Sequence, residues 1–409
     1  MKAAASASAD TFYSRKDEAL EVRPGLPAMR IEKACFIKCP GPEDAQGGLF
    51  NSQGAFIPGS GLQRGKAQII TGKKIAPHAE THIEETHLYV GVLYLHFGHC
   101  LIEGLARIWP LLSGAVPRDT PLAVIEHPNR DPRMLKAWLE LLGFPEQRIT
   151  FVKSVTSFSE LIVPDPGIVV SKHGFLGHVH SLQQAFLTAS REAQESKPRS
   201  GAVYLSRSKL SPDKRIIIGE EHIERYLSSC GVDILYPETL ALRDQIHALR
   251  GYETVIGYVG SAFHNLFFCE PGVNAVYLCA NPPIKTYHII DEMLGVNGVF
   301  VNDSTAGGIN GFSYVHLHNE PILPDFTKLF DFFESIGLCG ERPTPDHKQL
   351  LVEFMGHWQR NVCHTLFGKL NQTTTRAQKE SMKNKIPVLT QTLENNIRLM
   401  AERLVASNS

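Results

Sequence analysis

Short apolar runs alternate with amphipathic stretches through the second half of the chain. Five runs rich in β-branched and aromatic residues have the length of strands, at 202–208, 232–238, 254–259, 275–279 and 298–302. Stretches with helical periodicity separate them, at 219–231, 240–251, 261–269 and 284–295. Strands that alternate with helices form parallel sheets covered on both faces, so this half predicts a Rossmann-like α/β domain.

The first half shows the same alternation in a less regular form. Helices are predicted over 99–113, 133–143 and 175–195, and strands over 121–127, 148–153 and 160–164. This pattern predicts a second α/β domain. The polar segment 195–201 contains proline and glycine and is typical of a linker between the two domains.

The predicted organisation has four parts. A disordered leader covers 1–25 and lacks the apolar core of a signal peptide. An N-terminal α/β domain covers 26–195, and the Rossmann-like domain covers 196–310. A helical extension over 311–409 is expected to return and brace the N-terminal domain. A length of 409 residues agrees with two domains better than with one core.

Charge and cysteine content narrow the class of protein. The formal net charge is −1, from 41 basic and 42 acidic residues, which argues against a protein that coats nucleic acid. Any anion site must therefore be local. The eight cysteines form no CxxC pair, which is typical of a reducing compartment, and we expect a cytoplasmic protein.

The residues that follow two predicted strands offer a site for phosphate. Gly260 and Ser261 follow the strand 254–259 and open a helix whose first N–H groups favour an anion. Arg207 and Lys209 lie at the end of the predicted strand 202–208, where a guanidinium and an ammonium would stabilise a diphosphate without metal. A plain tight turn and a solvated basic loop are the structural alternatives.

An acidic residue stands at the end of a further predicted strand of the same half. Glu238 is the last residue of the predicted strand 232–238 and could accept hydrogen bonds from a ribose. Its structural alternative is simply to open the next helix.

A polar stripe follows one face of the predicted helix near residue 100. At 100° per residue His96, His99, Glu103 and Arg107 share the face opposite to the leucines. His99 and Glu103 are i,i+4 neighbours, so either could take a proton from a substrate. The spacing also fits a metal face, although no HExxH motif is present. An exposed face with a Glu103–Arg107 ion pair is the structural alternative.

Several blocks resemble glycosyltransferase family 61, a group common in capsular polysaccharide clusters. The block HFGHCLIEGLARIWPLL resembles the N-terminal motif of this family, in which a His, an acid and an Arg map onto His99, Glu103 and Arg107. YLSRSK (204–209) and the stretch 243–272 resemble the later motifs of the family. The blocks cover roughly residues 85–280 in the family's order.

The resemblance implies a GT-B-like fold of two Rossmann-like domains, here with the C-terminal helical extension. The C-terminal domain would hold a nucleotide-sugar donor, expected to be a UDP-sugar, through residues that follow its strands: Arg207, Lys209, Glu238, Gly260, Ser261, His264 and Asn265. The N-terminal domain would hold a glycan acceptor. The family often carries His before the turn glycine, where this chain has Val259, and whether His264 replaces it stays open.

The resemblance also implies a reaction that inverts the anomeric carbon. The chain has no Asp-x-Asp motif, which agrees with stabilisation of the leaving group without metal or other cofactor. One base must then deprotonate the acceptor, and His99 and Glu103 are both candidates. His96 and Arg107 would contact the acceptor or be structural. The expected partners are a donor and a glycan acceptor in surface polysaccharide synthesis, with peripheral contact to a membrane through the acceptor and no nucleic acid.

Three other functions stay open from the sequence alone. A non-catalytic glycan or nucleotide-sugar binding protein would keep the fold and lack the base. An oxidoreductase is disfavoured because no GxGxxG motif follows the first strand of the Rossmann-like half. A metal-dependent hydrolase would use the histidine cluster.

Overall fold

The chain has a mixed α/β fold with one large sheet in each half, as seen in a computed structural model. The structure describes residues 20–38, 47–64, 67–68, 75, 78–92, 97–126, 133–191, 200–211, 216–280, 284–302, 321–350, 352–357 and 360.

The first half contains twelve of the strands and four short or medium helices. In chain order these elements are β1 Glu21–Arg23, β2 Met29–Lys38, β3 Gly48–Phe50, β4 Gln63–Arg64, β5 Ala67–Gln68, β6 Thr81–Ile83, β7 His87–Val92, α1 Phe97–His99, α2 Trp109–Leu112, β8 Leu122–Ile125, α3 Arg133–Leu141, β9 Ile149–Val152, β10 Thr156–Pro164, β11 Ile168–Val169, β12 His173–Phe175 and α4 Leu176–Arg191.

The second half contains the remaining described elements. They are β13 Ala202–Leu205, α5 Glu220–Ser229, β14 Asp233–Leu235, α6 Leu242–Arg250, β15 Thr254–Tyr258, β16 Asn274–Cys279, α7 Lys285–Leu294, β17 Asn297–Asn302 and α8 Phe326–Ser335.

The sheet of the second half is parallel throughout, with strand order β14-β13-β15-β16-β17. This order is that of a doubly wound sheet, so the alternation predicted after residue 200 is confirmed. One helix differs in type, because Ser261–Phe268 is a 3₁₀ helix. Every side chain from Phe263 to Phe268 is buried, so packing on all sides shapes this segment more than an amphipathic periodicity does.

The sheet of the first half is mixed. Its order is β3-β2-β10-β7-β8-β9, with β6 also paired to β10. The strands β10, β7, β8 and β9 are parallel, and β2 is antiparallel to β10. The three predicted strands are confirmed as β8, β9 and the end of β10. The long strand β2 was not predicted, although its sequence alternates and its last residues are buried on one face.

The predicted continuous helix over 99–113 is wrong. The segment forms α1, then a π-helical turn over Cys100–Gly104, then a separate turn at α2. Pro110 has no N–H with which to continue a helix. The carbonyl of Ala106, four residues before it, instead accepts a hydrogen bond from the Gly167 N–H.

Part of the predicted leader is a strand. β1 pairs in parallel with β12, and β12 pairs with β11 in a small three-stranded sheet. Val22 of β1 packs against the hydrophobic core, which explains why this piece is held in place. The leader boundary at residue 25 is therefore too late, and residues 1–19 lie outside the described residues.

One apolar core runs across both halves of the chain. Phe268 of the second half stacks on Trp138 with ring centroids 5.2 Å apart and contacts Phe186 at 4.7 Å. The two sheets thus share a hydrophobic interface rather than facing each other only across a cleft. Such an interface holds domains more firmly than a polar one does.

The extension after residue 310 covers the second sheet in the part that the structure describes. Ile322 forms an isolated bridge with Ile217, and Phe330 of α8 stacks on Tyr226 at 4.5 Å. The expectation that the extension braces the N-terminal domain is wrong for these residues. In the doubly wound sheet α6 and α7 cover the face toward the first half, so α8 completes the cover that α5 begins on the other face.

Most of the predicted linker and the part of the predicted helical extension after residue 360 lie outside the described residues. Among the helices that the structure describes, none combines the length and the apolarity needed to cross a membrane.

Candidate functional site

Each large sheet reverses its strand order at one point, which is where doubly wound sheets form a crevice. In the second sheet the chain leaves β13 for β14 on one side and then crosses to β15 on the other. Ligands of open parallel sheets bind at such a switch point, beyond the carboxyl ends of the strands. The residues that follow β13 and β15 are those from Ser206 to Lys209 and from Val259 to Ser261.

The structure brings Arg207 and Gly260 into direct contact at this crevice. A Cβ atom built on Gly260 would lie 2.6 Å from Nη1 of Arg207, so a larger residue would displace the guanidinium. Arg207 is half-buried, and the 3₁₀ helix that begins at Ser261 starts beside it. A guanidinium and the first N–H groups of a helix therefore lie side by side, and their binding of a diphosphate stays a prediction.

Two glutamates of α5 hold the loop that carries Arg207. The Glu220 carboxylate accepts hydrogen bonds from the Arg207 backbone N–H and from the Tyr204 hydroxyl, both at 2.9 Å. Glu224 accepts from the Ser206 hydroxyl at 2.6 Å. Neither glutamate was predicted. Glu220 stands in the first turn of α5, where an acidic residue is an ordinary partner of the helix dipole, and Glu224 has the sequence context of a solvated helix position.

Glu220 titrates unusually. It is 2% exposed, and burial raises its pKa from 4.5 to about 7, while the hydrogen bonds from Arg207 and Tyr204 act in the opposite direction. The Glu220 carboxyl, which accepts the hydrogen bond from the Arg207 backbone, therefore changes its charge near neutral pH.

Two predicted donor residues are exposed near the carboxyl ends of β13 and β14. Lys209 is exposed, and its ammonium lies 3.6 Å from the ring centroid of Tyr236, a cation–π contact. Glu238 is exposed in a short 3₁₀ turn that follows β14, at the same edge of the sheet.

In the first half, His99 and Glu103 form the predicted pair. Nδ1 of His99 lies 2.7 Å from Oε2 of Glu103. The Glu103 side chain is 4% exposed and that of His99 is 32% exposed, so the carboxylate lies behind the ring. A carboxylate that accepts the Nδ1 proton fixes the ring orientation and leaves Nε2 as the nitrogen that can exchange a proton.

Arg107 does not form the ion pair with Glu103 that the sequence allowed. Its buried guanidinium donates to the backbone carbonyls of Pro164 and Gly59 and lies 5.7 Å from the Tyr89 ring centroid. Burial lowers its pKa from the usual value, with partial compensation from nearby groups. The residue thus ties β10 to the loop at Gly59. The other predicted acceptor residue, His96, lies outside the described residues.

Gly98 joins the two halves of the site. A Cβ atom built on it would lie 2.7 Å from Cδ2 of His264 and 2.9 Å from Cβ of Ser261. The backbone next to His99 therefore touches the turn that follows β15. Sequence reasoning missed this contact, because nothing local in the His-Phe-Gly-His run requires a glycine.

The comparison with protein families agrees with this geometry. Residues 97–276 match the family model described as Glycosyltransferase 61. This region belongs to glycosyltransferase family 61. The match begins at α1, includes His99, Glu103 and Arg207, and ends within β16. A comparison with curated proteins found no match.

The predicted resemblance is therefore confirmed, and residues 97–276 are a glycosyltransferase domain. Membership of family 61 implies a sugar donor and an acceptor as substrates. It also favours this function over the oxidoreductase and the metal-dependent hydrolase.

The last two predicted donor residues lie within the family 61 domain beneath the turn. His264 is 5% exposed and stacks on Tyr287 at 5.4 Å. Asn265 is fully buried, and its amide donates to Oε1 of Gln245 at 3.1 Å. Both side chains are buried behind the turn, and the ring of His264 lies beside Ser261 against Gly98.

The switch point of the first sheet also opens a cavity, of about 240 Å³. It lies where β7 and β10 end, and Glu103 and Arg107 form part of its wall. Within the described residues no group of three His, Cys, Asp or Glu side chains is placed to hold a metal ion.

Proposed function

We propose that the chain is an inverting, metal-independent glycosyltransferase of GT-B-like architecture. It would transfer a sugar from a nucleotide diphosphate donor, expected to be a UDP-sugar, to a glycan in surface polysaccharide synthesis. The observation that carries the proposal is the contact of Gly98 with Ser261 and His264. This contact supports the proposal, because Gly98 precedes the candidate proton-accepting pair of one half and Ser261 begins the helix of the candidate anion site in the other half.

The donor diphosphate would lie at the crevice between β13 and β15. Arg207 and the exposed Lys209 supply positive charge, and the helix that begins at Ser261 supplies N–H groups. These groups stabilise the charge that develops on the departing diphosphate, which is the role of a fixed electrostatic site.

The acceptor would be activated by His99. Nε2 takes the proton from the acceptor hydroxyl, the oxygen attacks the anomeric carbon, and the bond from that carbon to the diphosphate oxygen breaks. The leaving diphosphate keeps the electron pair beside Arg207. A single displacement from the opposite face inverts the anomeric carbon. Glu103 is a positioning residue, because its hydrogen bond orients the His99 ring.

Donor binding is the first test. Titration with UDP in the presence of a chelator should show binding that weakens about tenfold or more in Arg207→Ala, since charge-assisted hydrogen bonds contribute about 1.5–3 kcal/mol. Arg225→Ala is the matched control, because Arg225 is exposed on α5. Binding that requires a divalent metal, or equal affinity in both variants, would contradict the proposal.

The base is the second test. His99→Ala should lower kcat by about 10²–10⁴-fold while UDP affinity stays within twofold, as expected for loss of a general base. Glu103→Gln should lower kcat less, also at unchanged UDP affinity. His180→Ala is the control for replacing a histidine by alanine, because His180 is exposed on α4. Full activity in His99→Ala would exclude its role, and a wild-type protein that binds donor without turnover would favour the non-catalytic alternative.

The cytoplasmic location and the peripheral contact with a membrane stay predictions. They depend on the cysteine pattern and on the expected acceptor.

A further inference from the structure

A buried carboxyl is bonded to the loop that would hold the donor diphosphate. Oε1 of Glu220 accepts hydrogen bonds from the Arg207 backbone N–H and from the Tyr204 hydroxyl, both at 2.9 Å. The residue is 2% exposed, and its Oε2 has no hydrogen-bond partner among the described residues. One oxygen therefore makes both contacts, and the other is buried without a donor in this part of the chain.

These contacts favour the neutral form of the carboxyl. A proton on Oε2 leaves Oε1 with two lone pairs, so both hydrogen bonds persist in the protonated form. Ionisation instead places negative charge on a buried oxygen for which the described residues supply no donor, and this costs more free energy than burying a neutral hydroxyl. Burial accordingly raises the pKa of Glu220 to about 7, so both forms are populated near neutral pH.

Charged and titratable groups face Glu220 from each element packed around it. Besides burial, the hydrogen bonds from the Arg207 backbone and from Tyr204 of β13 lower the pKa of Glu220, whereas Glu224 on α5 raises it. Burial and the charges of Glu224 and Glu220 raise the pKa of Tyr236, which follows β14, above its usual value of 10, so this phenol stays neutral below pH 9. Arg207 is the cation of this group, and its charge lowers the pKa of Glu220 as well. A ligand that offsets the Arg207 charge therefore acts on Glu220.

A diphosphate on Arg207 would change the electric field at Glu220 in one direction. The guanidinium lies against Gly260 and is the group expected to hold the anion, while the carboxyl is bonded to the backbone of the same arginine. The anion would offset the positive charge that favours the carboxylate, and its own negative charge would disfavour the carboxylate further. Both effects raise the pKa of Glu220, so a proton is taken up when the anion binds.

We propose that Glu220 is a positioning residue that holds the Arg207 loop in its protonated form, so that binding of the nucleotide diphosphate takes up a proton at this carboxyl. The inference rests on the proposed function and adds a regulation of the same site, because the affinity for the donor falls as the pH rises through 7. Glutamine at this position keeps the oxygen that accepts both hydrogen bonds and cannot ionise, so it imitates the protonated form at every pH.

Titration calorimetry with UDP between pH 7 and pH 8.5 tests the proposal. UDP itself is almost fully ionised over this range, since the pKa of a terminal phosphate is about 6. A nearby charge moves the pKa of a carboxyl by about 1–3, and a rise of only about 1 weakens UDP binding to the wild type about fourfold from pH 7 to pH 8.5. The affinity of Glu220→Gln should change less than about twofold over the same range. Glu221→Gln is the matched control, because Glu221 is the exposed neighbour on α5, and it should follow the wild type.

The proton can also be counted directly. The heat of UDP binding, measured at pH 7.5 in buffers with different ionisation enthalpies, gives the number of protons that the complex takes up. The wild type and Glu221→Gln should each take up about 0.5 proton more than Glu220→Gln, as expected for a pKa that rises from about 7 to about 8.

The outcomes separate this inference from the proposed function. A merely structural role of Glu220 would change the UDP affinity of Glu220→Gln by the same factor at every pH, and that result would overturn the inference. Equal proton uptake in the wild type and in Glu220→Gln would overturn it as well, while UDP binding would leave the proposed function in place. Wild-type protein that binds no UDP at any pH would instead overturn the proposed function.

Discussion

Gly98→Ala tests the contact on which the proposed function depends. The added methyl would lie 2.7 Å from Cδ2 of His264 and 2.9 Å from Cβ of Ser261, while carbon atoms pack at about 3.5–4.0 Å. At least about 0.8 Å of displacement is required. The His264 ring is buried and stacked on Tyr287, so it has little room to move. The movement must therefore separate His99 from the donor turn.

The expected effect is large on catalysis and moderate on stability. A misplacement of about 1 Å lowers a rate by on the order of a hundredfold, which corresponds to about 2.7 kcal/mol of activation free energy. Overpacking of this kind costs about 1–3 kcal/mol of folding stability, and the melting temperature should fall by a few degrees. The assay is release of nucleoside diphosphate at saturating substrate, with thermal unfolding in parallel.

Gly104→Ala is the matched control in the same segment. Its added methyl would meet Sγ of Cys100 and Cδ1 of Leu135 at 3.7 Å, which is ordinary van der Waals contact. This variant should keep kcat within about threefold. Wild-type kcat in Gly98→Ala, or an equal loss in both variants, would refute the reasoning from close packing.

Three further predictions concern stability. Burial raises the pKa of Glu220 from 4.5 to about 7. The stability that the protonated carboxyl contributes to the folded state is therefore complete below pH 4.5 and is lost as the pH rises through 7. Between pH 5 and pH 8 the free energy of unfolding of Glu220→Gln, measured in urea, should therefore rise by up to about 3 kcal/mol relative to that of the wild type. A difference between the two proteins that does not change with pH would contradict this. Burial lowers the pKa of His178 from 6.5 to about 3, so its contribution is present above pH 6.5 and is lost as the pH falls toward 3. As the pH falls from 7 to 5, the free energy of unfolding of His178→Leu should rise by about 2 kcal/mol relative to that of the wild type. Parallel pH curves for the two proteins would show that burial does not lower the pKa of His178. Phe268→Ala should cost about 3–5 kcal/mol and lower a single unfolding transition, because Phe268 packs on Trp138 and Phe186 of the other half. Two separate transitions in calorimetry would argue against the shared core.

The regular alternation after residue 200 was predictable because each element satisfies its own pattern. A buried parallel strand such as β15 is apolar along its whole length, and α5 and α6 are amphipathic, so local sequence is sufficient. The segment near residue 100 was not predictable in the same way. Its helical periodicity continues past Pro110 and hid the break that a proline causes. The Gly167 N–H that satisfies the Ala106 carbonyl comes from a distant part of the chain, so the local sequence gives no sign of it.

The residues of the candidate site likewise fall into those that the local sequence predicts and those that depend on contacts with distant parts of the chain. The chemistry of Arg207, His99 and Glu103 was visible in the residue types and in their positions after strands or at i,i+4 spacing. Glu220 and Gly98 were not visible, because each acts through a contact with a residue far away in the chain. Glu220 is the first residue of α5, and the local sequence there would look the same if its carboxylate were exposed to solvent. Only the packing of the Arg207 loop over it makes it a buried group.

By itself the sequence determined the α/β class, the alternation of short parallel strands with helices after residue 200, the family resemblance and the i,i+4 spacing of His99 and Glu103. These features depend on periodicity and on neighbours along the chain, which a sequence records directly. The tertiary structure decided that β1 belongs to a sheet, that α8 covers the second sheet, and that Gly98 packs against the turn after β15. Such contacts form between segments that carry no signal of each other, because packing selects partners by shape and burial after the elements have formed.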